Sequence, residues 1–265
     1  MLTPAQHVAV AGVAILAGAA NAFAGGGMLL TFPALIGLGV PSLTANATST
    51  VALWPGAVSS VFGYREELGR SRRWAVHFAI PSVLGGLLGG ILLTLTPESR
   101  FDQIVPWLVL FATVLFVAQR PVLDLLRRRV GYRAPSAGDV TLQTPPRAFL
   151  VFHFFVAIYG GYFGGGAGLI MLAALSLMGL TNIHQMNGLK LLFAATFNFV
   201  AIGAFIVKGL VDWNIGLTMA LGSIGGGLGA SHLAQRIPQS WVRASIGVIG
   251  FAAAAWLYYQ QHGRA

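Results

Sequence analysis

The chain has 265 residues, of which 56% are hydrophobic and only 9% charged. A soluble domain carries about 25% charged residues, so this chain is too poor in charge to cover a water-facing globule, and lipid is the solvent that tolerates it. It has no cysteine, which excludes disulfides, a thiolate nucleophile and a cysteine-based metal site, and its net charge of +9 reads as membrane-flanking arginine rather than as a nucleic-acid surface.

In chain order, the first apolar run covers about 8–40 and is broken at Gly25, Gly26 and Gly27. Ala20, Ala22 and Ala24 are spaced as at a signal-peptidase site. No Lys or Arg precedes them, and the run continues to Val40, so a cleaved signal peptide is not expected. Runs at about 43–63, 75–96 and 104–119 follow, then an arginine-rich segment at 120–147. The second part holds a run at about 148–180, broken at Gly164, Gly165, Gly166 and Gly168, and runs at about 184–207, 214–234 and 242–259. A spanning helix needs about 20 apolar residues. Each broken run is about 33 residues long, too long for one untilted crossing and short for two.

The two halves repeat. Shifting the sequence by 141 places Gly25 on Gly166, Gly27 on Gly168 and Asn46 on Asn187. The same register pairs Ser82 with Ser223, Gly85 and Gly86 with Gly226 and Gly227, Pro97 with Pro238 and Ser99 with Ser240, without a gap. This is the signature of an internal duplication. The expected fold is therefore an all-α polytopic membrane protein with 8–10 hydrophobic segments. It forms one transport domain over 1–265: repeat 1 at 5–120, a basic cytoplasmic linker at 121–146 and repeat 2 at 147–260.

Loop charge sets the orientation. Arg65, Arg70, Arg72 and Arg73 crowd one loop, and Arg120, Arg127, Arg128, Arg129, Arg133 and Arg147 crowd the linker, so both are expected in the cytoplasm. If each broken run returns to the side it entered, the repeats are inverted, Arg236 and Arg243 also lie inside, and both termini lie outside. If each crosses once, eight helices form parallel repeats with both termini inside. The charges lean to the inverted version.

Three features could carry chemistry. The glycine breaks free backbone N–H groups and start new helices, whose N-termini suit an anion. The plainer reading is close helix packing. Asn46 and Asn187 each lie about 19 residues after a break, in apolar surroundings where an amide must find a partner or a ligand. Lys190 lies one turn after Asn187 with no acidic residue between Asp139 and Asp212, so it either faces an anionic substrate in a cavity or snorkels to the interface. Ser49 occupies its place in the first repeat. The candidate substrate-binding residues are therefore Gly25, Gly26, Gly27, Asn46, Thr48, Gly165, Gly166, Gly168, Asn187 and Lys190. Asn21, Asn198, Tyr159 and Tyr162 are lesser candidates, more readily read as packing. The histidines show no metal-ligand spacing, and no catalytic set, P-loop or dinucleotide fingerprint stands in context, so neither enzyme activity nor a cofactor is expected.

The segment Ala24 to Leu30 with its triple glycine, Pro33, the stretch Ala45 to Ser49, and the second-half echoes at Gly164 to Gly168 and Asn187 to Lys190 resemble the TauE/SafE family of sulfite and organosulfonate transporters, also called the toluene-sulfonate uptake permease family. The likeness spans nearly the whole chain. It implies secondary transport of a sulfur-containing anion such as sulfite or sulfoacetate across an inner membrane, usually as export. Two departures touch the symmetry of the site: Ala167 stands where the second half often has glycine, and Ala174 stands opposite Pro33. The expected partners are a small anion and the lipid bilayer; a coupling proton or ion and an oligomer are both left open. The rival readings are an anion channel, a transporter of another small organic acid, and a membrane structural or assembly protein.

Overall fold

A computed structural model of the chain describes residues 3–23, 26–129, 144–180, 182–233 and 239–262. Among these residues the secondary structure is helical throughout, without a strand. The chain is a multi-pass membrane protein. Three described helical stretches are long and apolar enough to cross a bilayer: Arg72–Leu95, Glu98–Ala118 and Ile183–Val207.

The first broken run forms α1 (Pro4–Phe23) and α2 (Met28–Gly37), which fold back on one another, with Gly27 seated against the Ala17 carbonyl and Asn21. Next come α3 (Ser42–Gly63), the short α4 (Arg65–Arg70), α5 (Arg72–Leu95) and α6 (Glu98–Arg129). The second broken run forms α7 (Arg147–Tyr162) and α8 (Ala167–Leu177), which jointly line a small apolar space through Phe149 and Val156 on one side and Met171 and Met178 on the other. Then follow α9 (Ile183–Val207), α10 (Trp213–Leu233) and α11 (Gln239–His262). The polar segment expected to begin at Arg120 is still helical as far as Arg129, in keeping with its arginines and leucines, which are good helix formers.

Local chemistry explains where the helices start and stop. Asn182 caps α9, its Oδ1 accepting from His184 N at 2.9 Å and Gln185 N at 3.4 Å. Asp212 does the same for α10, accepting from Ile215 N at 3.1 Å. At α3 the capping carboxylate comes from another helix: Glu98 accepts from Ser42 Oγ at 2.9 Å and from Leu43 N at 3.1 Å. Gly179 and Gly209, at φ 90° and 70°, end α8 and α9 in the left-handed conformation that a side chain would strain.

Glycines let the helices approach closely. On α5, a Cβ on Gly85 would lie 2.6 Å from the Phe154 carbonyl of α7, and one on Gly90 would lie 2.8 Å from Ala201 Cα of α9. On α10, Gly222 and Gly226 press on the backbone of α1, and a Cβ on Gly227 would lie 3.4 Å from the Gly56 carbonyl of α3. So α5 of the first half packs on helices of the second, and α10 of the second half packs on helices of the first. The other face of α5 presents Ile80, Leu84, Leu87, Leu88, Ile91 and Leu95 outward, an apolar stripe suited to acyl chains.

Candidate functional site

Between α1, α2, α3, α8 and α9 lies a cavity of about 70 Å³. A single water needs roughly 10–15 Å³ of such space, so several waters or one small anion would fit. Lys190, Asn198, Asn21 and Thr50 supply its polar groups, Gly164 and Gly168 its backbone, and Trp54, Phe197 and Leu191 its apolar wall.

Helical spacing explains the lining. Lys190, Ala194 and Asn198 recur every four residues on α9, and Thr50, Trp54 and Ala57 recur at three or four on α3, so each set shares one face. Trp54 is held in place by its indole N–H, which donates to the Ala195 carbonyl at 2.9 Å. Asn21 is held too, its Oδ1 accepting from Gly27 N at 3.0 Å.

Lys190 is 2% exposed, and its Nζ meets no hydrogen-bond partner among the described residues. Its aliphatic stem lies on Gly168, where a Cβ would come within 3.2 Å of Lys190 Cδ. Gly168 sits in the first turn of α8. The N-cap of that helix, Gly166, stands at φ 82° and brings no side-chain cap. The first N–H groups of a helix have no partner within the helix and carry a partial positive charge. The cavity thus gathers an amine, an uncapped helix start and the amide of Asn198, whose Oδ1 is also without a partner among the described residues.

The other sequence candidates take different places. Gly25 lies outside the described residues. Gly26 packs against the Phe116 ring, and Gly27 spends its N–H on Asn21. Gly165 has its carbonyl taken by the Tyr159 hydroxyl, and Gly166 rests on Ala112. Thr48 accepts from Asp212 N at 3.0 Å, tying α3 to the start of α10. Tyr162 pairs its hydroxyl with Thr96 at 3.3 Å. Asn46 is fully buried and donates through Nδ2 to the Tyr162 carbonyl at 2.9 Å. Neither Asn46 nor Asn187 lines the Lys190 cavity, although the Oδ1 of each lacks a partner among the described residues. Of the ten candidates, then, Gly168 and Lys190 line the cavity, together with the lesser candidates Asn21 and Asn198. Thr50, Trp54 and Gly164 were missed. For Thr50 and Trp54 the signal was there, at four and eight residues after Asn46 on one helix face.

Over the start of α9, Tyr64 and Leu68 of the α3–α4 corner rest on Gly188, two residues before Lys190. Burial, and then the neighbouring Glu67 carboxylate, hold the Tyr64 phenol above its ordinary pKa.

Residues 10–257 match the family model described as sulfite exporter TauE/SafE, which is nearly the whole chain. The chain belongs to this family. Relatives agree in kind: it is 29% identical over 254 residues to a probable membrane transporter protein, YfcA, of Escherichia coli strain K12, covering 95% of this chain and 89% of the relative. It is 27% identical over 255 residues to a probable membrane transporter protein of Haemophilus influenzae, covering 94% and 93%. No solved structure matches the chain. The chain is a membrane transporter of the TauE/SafE family.

Proposed function

We propose that the chain is a secondary transporter that moves a small sulfur-containing anion, sulfite or an organosulfonate, by alternating access, with export as its direction and no catalytic step. The observation that carries this reading is the Lys190 amine, buried and without a hydrogen-bond partner among the described residues, at a cavity that also receives the uncapped start of α8. An ammonium in the bilayer interior costs about 2.5–3.5 kcal/mol on insertion scales unless something compensates it. An anion seated between Lys190 and the α8 N-terminus supplies that compensation. The burial of Lys190 supports an occluded, alternating site over an open channel.

One transport domain is built of two inverted repeats, 5–120 and 147–260, joined by a cytoplasmic linker at 121–146. Three observations support this arrangement. Helices start at Ser42, Arg72 and Glu98, and again 141 residues later at Ile183, Trp213 and Gln239. The α1–α2 and α7–α8 pairs fold back as hairpins. And α6 and α11 run antiparallel, with Thr113 against Gly250, Val117 against Gly247 and Asp102 against Gln261. Rocking of one repeat on the other across the glycine contacts would expose the cavity to each side in turn.

The test is thermal unfolding of the purified, detergent-solubilised protein with sulfite, sulfoacetate, taurine, sulfate, acetate and chloride at fixed ionic strength. A ligand of the folded state raises Tm with dose. Stabilisation by sulfite or a sulfonate, lost in Lys190→Ala, is expected. Equal response to every anion, or an unchanged response in Lys190→Ala, would overturn the site. Acetate as the sole stabiliser would move the substrate class to carboxylates.

A further inference from the structure

A second set of buried polar groups, on the turn of α3 that precedes the cavity-lining Thr50, is not absorbed by an anion site. Asn46 and Ser49 are 0% exposed on α3, and neither Asn46 Oδ1 nor Ser49 Oγ meets a partner among the described residues. The orientation of the amide is settled by its neighbour. Nδ2 donates to the Tyr162 carbonyl at 2.9 Å, whereas a flipped amide would set two carbonyl oxygens against each other. So the orphaned atom of Asn46 is an acceptor, which an anion cannot satisfy. Ser49 follows three residues later on the same helix face. Tyr162 is the last residue of α7, where main-chain carbonyls lack intrahelical donors and carry partial negative charge. Its carbonyl keeps a second lone pair after accepting from Asn46.

Asn46 Oδ1 beside the carbonyl at the end of α7, with the Ser49 hydroxyl one turn along α3, offers neutral oxygens that suit a hard monovalent cation. Broken helices in transporters present cations with the C-terminal ends of half-helices and anions with the N-terminal ends. Here α7 ends at Asn46 and α8 begins at Lys190, so one break would serve both charges. We propose that Asn46 Oδ1, Ser49 Oγ and the Tyr162 carbonyl bind a monovalent metal cation of sodium size, and that it is the coupling ion of anion transport. The coupling clause rests on the proposed anion site; the cation site does not. The two sites share a helical turn, because Thr50 lines the cavity and its hydroxyl donates to the Asn46 carbonyl at 2.9 Å. The described cation ligands include no carboxylate, so the cation is held weakly on its own and more tightly once an anion offsets Lys190. By linkage, each ion then raises the affinity of the other by the same factor.

The experiment is thermal unfolding of the full chain in detergent, with sodium chloride replaced stepwise by choline chloride at constant ionic strength, with and without sulfite. The expected result is a dose-dependent rise in Tm with sodium, and a sodium midpoint about tenfold lower when sulfite is present, within the usual range of coupling between sites. Ser49→Ala should shift the sodium midpoint upward and Asn46→Ala should abolish the response, while both keep sulfite stabilisation in choline. No difference between sodium and choline in the wild type would overturn the cation site, because water alone would then satisfy these oxygens. A Ser49→Ala protein that titrates like wild type would overturn its placement. Sodium stabilisation without any anion response would leave the cation site standing and remove the anion reading. The reverse pattern would remove the cation alone.

Discussion

Lys190 buries one amine in α9, a helix long and apolar enough to cross a bilayer, with no partner among the described residues, an arrangement that costs stability and therefore points to function. Lys190→Met keeps the length and apolar character of the stem while removing the amine. In the absence of anion it should unfold at the same Tm as wild type or higher, by up to about 3 kcal/mol of relieved cost. With sulfite or a sulfonate present, it should show no further rise. A marked loss of apo stability in differential scanning fluorimetry would mean that the amine has a structural partner instead. Glu98 is the opposite kind of residue. Its carboxylate satisfies the hydroxyl of Ser42 and the N–H of Leu43, so Glu98→Ala should lower stability by about 1–2 kcal/mol and leave anion binding intact. Comparing Tm with and without ligand separates the two roles.

At the scale of elements, neighbouring glycines on α10 carry opposite expectations. A Cβ on Gly226 would collide with the Ile15 carbonyl of α1, a backbone atom that cannot turn aside. Gly226→Ala should therefore lower stability by about 1–3 kcal/mol, the usual cost of overpacking. At Gly225 nothing lies within 4 Å, so Gly225→Ala should be neutral or stabilising by about 0.5–1 kcal/mol through helix propensity. Both are read from unfolding midpoints of the purified variants. A drop for both would mean that α10 tolerates no added methyl group and that the contact with α1 is not the cause. The sequence marks both residues as glycines in a helix and cannot rank them, because the distinction lies in which face meets α1.

At the scale of the whole molecule, the inverted and parallel arrangements disagree about where the loop after α9 lies. The inverted version puts Lys208 outside and Gly69 in the cytoplasm, whereas the parallel version puts both inside. The chain has no native cysteine, so Gly69→Cys and Lys208→Cys introduce single thiols at exposed positions. In intact cells a membrane-impermeant maleimide should label Lys208→Cys, and Gly69→Cys only after lysis. Protection of both until lysis would select the parallel arrangement and remove the inverted one.

Composition and periodicity alone determined the class of this protein. A chain with 9% charge cannot fold in water, and its apolar runs already place α3, α5, α9 and α10 close to their bounds. The glycine breaks were legible because matching glycines recur at the same place in both halves and interrupt apolar runs too long for one untilted crossing. Lys190 stood out because an amine in an apolar run is costly in any fold. What only the tertiary structure decided is which polar groups share a space. Asn46 and Asn187 look alike in the sequence as members of the site, yet the cavity forms one turn further along, at Thr50 and Lys190, with Trp54 as its wall. Whether an amide faces a cavity, or spends its hydrogen bond on the Tyr162 carbonyl 116 residues away, depends on helix rotation and crossing, which are set by packing between distant segments.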